Sequence, residues 1–337
     1  MYGNGLMPSV FASKERPTVP WRAHRAGEDY GASVEPNWRE IDWPRHIHRV
    51  EIDGADVSYV DIGEGEAPAV VFVHGLAGQW QNWLENIPRV SQERRVIALD
   101  LPGFGLSEMP RSRITIPDYG RCVDALCEEL ELEHVALVGN SMGGFIASEV
   151  AIQFPERVEQ LVIASAAGIT SANLFSAPAL TAGRVATILA IYTAARHRAL
   201  AKRPRTRHAA LALVARYPGL LKPDLAYEGF MKGVGKDGFD DALRACLEYD
   251  FRDRLSEIGC PTLIVWGEND SILPVKDADE FERLIPNSRK LVLEETGHVP
   301  QAERPEKFND ALLEFLSEAR EPASETERRP SEEAQAA

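Results

Sequence analysis

Hydrophobic positions in this chain gather in short unbroken runs, each closed by glycine or a turn residue. "PAVVFVHG" (68–75), "RRVIALD" (94–100), "VALVG" (135–139), "VEQLVIASAAG" (158–168) and "PTLIVWGEND" (261–270) all read as strands buried on both faces. Between them the apolar period lengthens to that of helices, expected over about 117–131, 275–285 and 304–319. Buried strands alternating with helices imply parallel pairing through crossovers, an α/β architecture. "HRVEIDGADVSYVDIGEG" (48–65) alternates instead around Asp53-Gly54, the pattern of a β-hairpin.

The pattern divides the chain. Residues 1–45 are rich in Pro, Gly and Trp without a period, and Trp21, Trp38 and Trp43 suggest an arm laid across the body. Residues 46–169 and 251–320 carry the α/β pattern, interrupted at 170–250 by a helical cap or lid with apolar stretches at 185–192 and 209–215. The acidic tail, 321–337, lacks periodicity and reads as disordered. No internal repeat is visible.

The run 135–139 passes straight into a helical pattern, Phe145, Ile146, Glu149, Val150 and Phe154, with "GNSMGG" (139–144) between. A direct strand-to-helix turn strains its central residue and brings backbones so close that Gly139 and Gly143 must lack side chains. Ser141 then projects from the strand's carboxyl end above a helix N-terminus, where free N–H groups favour developing negative charge. A nucleophile fits this position; a helix-capping serine is the plainer alternative.

A serine hydroxyl needs a base beside it. Of eight histidines, only His74 and His298 directly follow a buried strand and its loop, and His298 stands just before the last helix, where it can swing toward Ser141. The orienting acid should follow a strand between them. "LIVWGENDSILP" offers Glu268 and Asp270; Asp270, farther into the loop, is expected to reach the imidazole, with Glu268 bracing the loop. An oxyanion hole is expected from the N–H groups of Met142, after the serine, and Leu76, after His74-Gly75, with His74 and Gly75 supporting that loop. Trp80, Phe104 and Phe145 are candidates for the substrate pocket, with core packing as the alternative.

Charge and cysteines narrow the surroundings. A formal net charge of −15 argues against general nucleic-acid binding. Cys122, Cys127, Cys246 and Cys260 lack paired spacing, so reduced core thiols are expected rather than disulfides or a zinc site. No apolar run approaches a membrane span, and no signal peptide is evident, which makes a cytoplasmic protein the expectation.

Taken in order, "HG", "DLPGFGLS", "GNSMGG", "WGENDSILP" and "TGHVPQAERP" resemble an α/β-hydrolase over about residues 50–320. The resemblance implies a mostly parallel eight-stranded sheet flanked by helices, a Ser141–Asp270–His298 triad, and neither cofactor nor metal. The oxyanion loop is "GLAG" rather than the triple glycine of some lipases and esterases.

Serine at this turn separates the chain from dehalogenases and epoxide hydrolases of the same fold, which place an aspartate there. Acyl transfer on a small-molecule carboxylic ester is the first expectation. A second is carbon–carbon hydrolysis, since "GNSMGG" and the following "SAAG" resemble meta-cleavage-product hydrolases, although Val299 stands where those enzymes typically have tryptophan. A non-catalytic binding protein on the same scaffold is a third. In the cap, Arg196, Arg198, Lys202, Arg203, Arg205 and Arg207 form a basic run, 196–207, beside an apolar helix, open to weak contact with an anionic lipid surface or to plain solvation. Oligomeric state is not legible.

Overall fold

The computed structural model describes residues 25–170, 203–233 and 235–318. Its centre is an eight-stranded sheet: β1 (Ile47–Ile52), β2 (Ala55–Ile62), β3 (Ala69–Val73), β4 (Val96–Leu99), β5 (Val135–Asn140), β6 (Val158–Ala164), β7 (Thr262–Gly267) and β8 (Ser288–Leu293), in spatial order β1-β2-β4-β3-β5-β6-β7-β8. From β4 onward the pairs are parallel; only β1–β2 and β2–β4 are antiparallel. The β1–β2 hairpin turns at Asp53 (φ 50°) and Gly54 (φ 74°), both at the positive φ a tight two-residue connection needs.

Every residue of β3 and β5 is buried because both faces of the sheet are covered. Alternation sorts their side chains between two cores. Val71, Val73, Val135 and Leu137 pack with Val123, Phe145 and Phe281 of helices α2 (Ile116–Glu129), α3 (Met142–Gln153) and α6 (Lys276–Leu284). Val70, Phe72, Ala136 and Val138 face Ile87 of α1 (Ile87–Val90) and Phe308 of α8 (Pro305–Glu318). The edge strands β1 and β8 are largely exposed or half-buried, each with one buried residue at its end, Ile52 and Leu293.

The arm, from residue 25, crosses the second core. Trp38 and Trp43 are buried, and Arg39 pairs with Asp224 at 2.5 and 2.7 Å. Trp21 lies outside the described residues, as do residues 319–337, which include the acidic tail, and the stretch 171–202. Of the interrupting segment, α4 (Pro204–Leu211), the helical stretch 223–231 and α5 (Phe239–Glu248) are described. Arg196, Arg198 and Lys202 fall outside. Arg203 and Arg205 are exposed, but Arg207 departs from a solvated basic run: it is buried and donates to the Gly219 carbonyl at 3.1 Å, holding its own segment together. No helix among the described residues is long and apolar enough to cross a membrane.

Candidate active site

Ser141 stands between β5 and α3 at φ 58°, ψ −120°, a conformation most L-residues avoid. Its neighbours impose it. A Cβ on Gly139 would lie 2.2 Å from the Gly143 carbonyl oxygen, and one on Gly143 would lie 2.1 Å from that of Val73. The Ser141 N–H still donates in sheet fashion to Ala164 O at 3.0 Å, while its carbonyl receives the Phe145 N–H at 3.2 Å as the helix begins. Ser141, strained and held from both sides, lines a cavity.

His298 and Asp270 come together beside it. The imidazole Nδ1 lies 2.8 Å from Asp270 Oδ2, and both side chains are nearly sealed from solvent. The other oxygen, Oδ1, accepts the N–H groups of Ile272 and Leu273 at 2.8 and 2.9 Å, so the carboxylate also caps its own loop. Glu268 points elsewhere and accepts the Glu295 N–H at 3.3 Å. His298 and Ser141 line the same cavity.

Around the serine, Leu76 also lines the cavity, and Met142 opens α3, where first-turn N–H groups have no intrahelical acceptor. His74 is wholly buried. It takes the Leu101 N–H on Nε2 at 3.0 Å, which assigns its ring proton to Nδ1, 2.8 Å from the Gly75 carbonyl. The ring thus ties the end of β4 to the loop that carries Leu76. Burial pushes its pKa down to about 4, so it is neutral.

The cavity measures about 130 Å³. Leu76, Ala77, Val214, Phe230, Phe239, Ile272 and Val299 supply its apolar wall, with Asn82, Asn140, Gly75 and Gly78 completing it. Trp80, Phe104 and Phe145 are not in that wall. Phe145 packs on Phe251 with centroids 4.4 Å apart, Trp80 on Trp43 at 4.8 Å, and Phe104 edge-on to His74 at 5.5 Å. All three belong to the core, because sheet-proximal aromatics after a turn point back into the layers. The apolar wall comes instead from the interrupting segment and the loops after β3, β7 and β8.

Several residues at the site escape a reading by motif. Asn140 donates to Ala164 O at 3.0 Å and to His298 O at 3.1 Å, tying the serine turn to the histidine loop. Asp100 accepts the N–H groups of Trp80 and Leu106, each at 2.8 Å, bracing the loops after β3 and β4; burial raises its pKa to about 6. Glu303 is fully buried five residues after His298, and Tyr30 of the arm reaches it. Neither Glu303 nor Tyr30 carries a local signal: Glu303 stands in a polar "QAER" stretch, and Tyr30 in an arm without periodicity.

Comparison with known proteins agrees with this architecture. The family model described as "alpha/beta hydrolase fold" matches residues 68–305. The chain is 34% identical over 278 residues to the dihydrolipoyllysine-residue acetyltransferase component of the acetoin cleaving system of Pseudomonas putida, covering 80% of this chain and 68% of that protein. It is 30% identical over 274 residues to a 2-hydroxy-6-oxo-6-phenylhexa-2,4-dienoate hydrolase of Comamonas testosteroni, covering 77% and 91%. Among solved structures it resembles a membrane phospholipase A at 25% identity, with a TM-score of 0.64 over 82% of this chain and 87% of that one.

Proposed function

The chain belongs to the α/β-hydrolase fold family and is a hydrolase, and from that premise we propose that it cleaves carboxylic esters through an acyl-enzyme on Ser141. The observation that carries this is the 2.8 Å pairing of His298 with Asp270 on the cavity that also holds the strained Ser141. Asp270 keeps the ring proton on Nδ1 and stabilises the imidazolium, leaving Nε2 to act as base.

In the first half-reaction, Nε2 takes the Ser141 hydroxyl proton as Oγ bonds to the carbonyl carbon. The carbonyl π-electrons move to oxygen, and the N–H groups of Met142 and Leu76 receive the oxyanion. Collapse breaks the bond to the leaving oxygen, which takes from His298 the proton that came from Ser141. In the second, His298 deprotonates water, water attacks the acyl carbon, and the carboxylic acid leaves as Oγ is reprotonated. Removing one oxyanion donor typically costs about 10²–10³ in kcat.

The apolar wall supports an uncharged acyl group. Carbon–carbon hydrolysis is the second reading, favoured by the Comamonas relative and by Asn140 against the histidine loop. A dienoate substrate brings a carboxylate, and among the described residues no Lys or Arg lines the cavity to meet it. Esters are therefore preferred.

Hydrolysis of p-nitrophenyl esters from short to long acyl chains, run beside Ser141→Ala, tests the proposal. A length optimum in the parent and loss of turnover in the variant are expected; equal rates reject it. A fluorophosphonate should label the parent alone. Absence of labelling would favour a binding protein on the same scaffold.

A further inference from the structure

Three consecutive N–H groups at the histidine are anchored. That of Gly297 lies 3.0 Å from each oxygen of Glu303, that of Val299 3.2 Å from Oε1, and that of His298 donates to Val214 O at 2.9 Å. Glu303 therefore grips the peptide groups on both sides of His298, while the interrupting segment holds the group between. The carboxylate is fully buried, and no cation pairs with it among the described residues. The Arg304 guanidinium turns to Asp29, and that of Arg216 to Glu295.

What faces Glu303 instead is neutral. The Tyr30 hydroxyl donates to Oε2 at 2.5 Å and accepts the Tyr217 N–H at 2.8 Å; the Arg216 N–H reaches Oε2 at 2.7 Å. Gly31 of the same arm donates to the Glu303 carbonyl at 2.8 Å. One hydroxyl thus joins three segments distant in sequence: the arm, residues 216–217, and the histidine loop. Burial and the neighbouring carboxylate hold the Tyr30 pKa well above its usual value, so the phenol keeps its proton to donate. A buried carboxylate robbed of a donor must find another or shift, and its only freedom is to move the peptides it grips.

We propose that Tyr30 is a positioning residue for His298, acting through Glu303. This rests on the reading of His298 as the base. Displacing a reacting group by about 1 Å can cost on the order of a hundredfold in rate. Losing one of Glu303's donors should shift the loop by a fraction of that.

The test is Tyr30→Phe in the full chain, with Glu303→Gln as a second variant, assayed on the p-nitrophenyl ester the parent turns over best. Expected for Tyr30→Phe is a kcat about tenfold lower with KM within twofold, and a weakened downfield proton resonance from His298 Nδ1–H. Glu303→Gln, if Tyr30→Phe fails to fold, should give the same split. A parent-like kcat and resonance in a folded variant would overturn the inference, even if the melting temperature fell, because Tyr30 would then serve stability alone. Full activity in Ser141→Ala would remove the underlying reading and this inference with it, an outcome distinct from an inactive Ser141→Ala beside a fully active Tyr30→Phe.

Discussion

Asp270 holds His298 with one carboxylate oxygen and its own loop with the other. Oδ2 lies 2.8 Å from the imidazole Nδ1, and Oδ1 accepts the N–H groups of Ile272 and Leu273. Acid and cap are met by different atoms of one group. The cap is of the loop itself and not of a helix: α6 begins at Lys276 with Val275 before it and no side-chain cap. The cap restricts the carboxylate, so its second oxygen has one direction left to face.

That division separates two substitutions. Asp270→Asn can keep the cap through its amide oxygen but presents an NH2 to the imidazole, favouring the wrong tautomer. Its kcat should fall by roughly 10³–10⁴ with little change in melting temperature. Asp270→Ala should lose the cap as well and about 1 kcal/mol of stability. Steady-state kinetics and thermal melts of the pair check this.

Strain at Ser141 predicts a stability order independent of catalysis. At φ 58° a side chain is unfavourable and glycine is not. Ser141→Gly should be about 1 kcal/mol more stable than Ser141→Ala by urea unfolding, both being inactive. A less stable glycine variant would contradict strain at the turn.

Glu303 predicts a pH dependence. Burial raises its pKa from the usual 4.5 to about 7. The folded state therefore holds a proton the unfolded state releases, and the resulting stability is present below about 4.5 and lost as pH rises through about 7. That displacement corresponds to about 3 kcal/mol. Asp100, raised to about 6, acts in the same sense. His74, lowered to about 4, acts oppositely, its contribution being lost as pH falls below the usual 6.5. Comparing parent and Glu303→Gln by urea unfolding at pH 5 and pH 8 isolates the one group: the parent should lose stability relative to the variant on going to pH 8.

The cysteines should be silent. Burial raises the thiols of Cys122, Cys127 and Cys246 to about 12 and that of Cys260 to about 11. Thiolate is the reactive form, so the native protein should react negligibly with a disulfide reagent at pH 8 and yield all four thiols in denaturant.

Sequence alone determined what is local. Unbroken apolar runs must be covered on both faces, which placed the strands, and the helix periods located α2, α6 and α8 to within a residue or two. Gly139 marked a turn too crowded for a side chain, because the carbonyl it would meet is that of Gly143, four positions on; the crowding at Gly143 itself comes from Val73 of the neighbouring strand. Tertiary structure decided what depends on packing between remote segments. The cavity wall is Val214, Phe230 and Phe239 rather than Trp80, Phe104 and Phe145, because which aromatic faces a cleft depends on the layer beneath it. Tyr30 meets Glu303 across 273 positions. No period or spacing records such a contact; it exists only once both segments have been folded against the same loop.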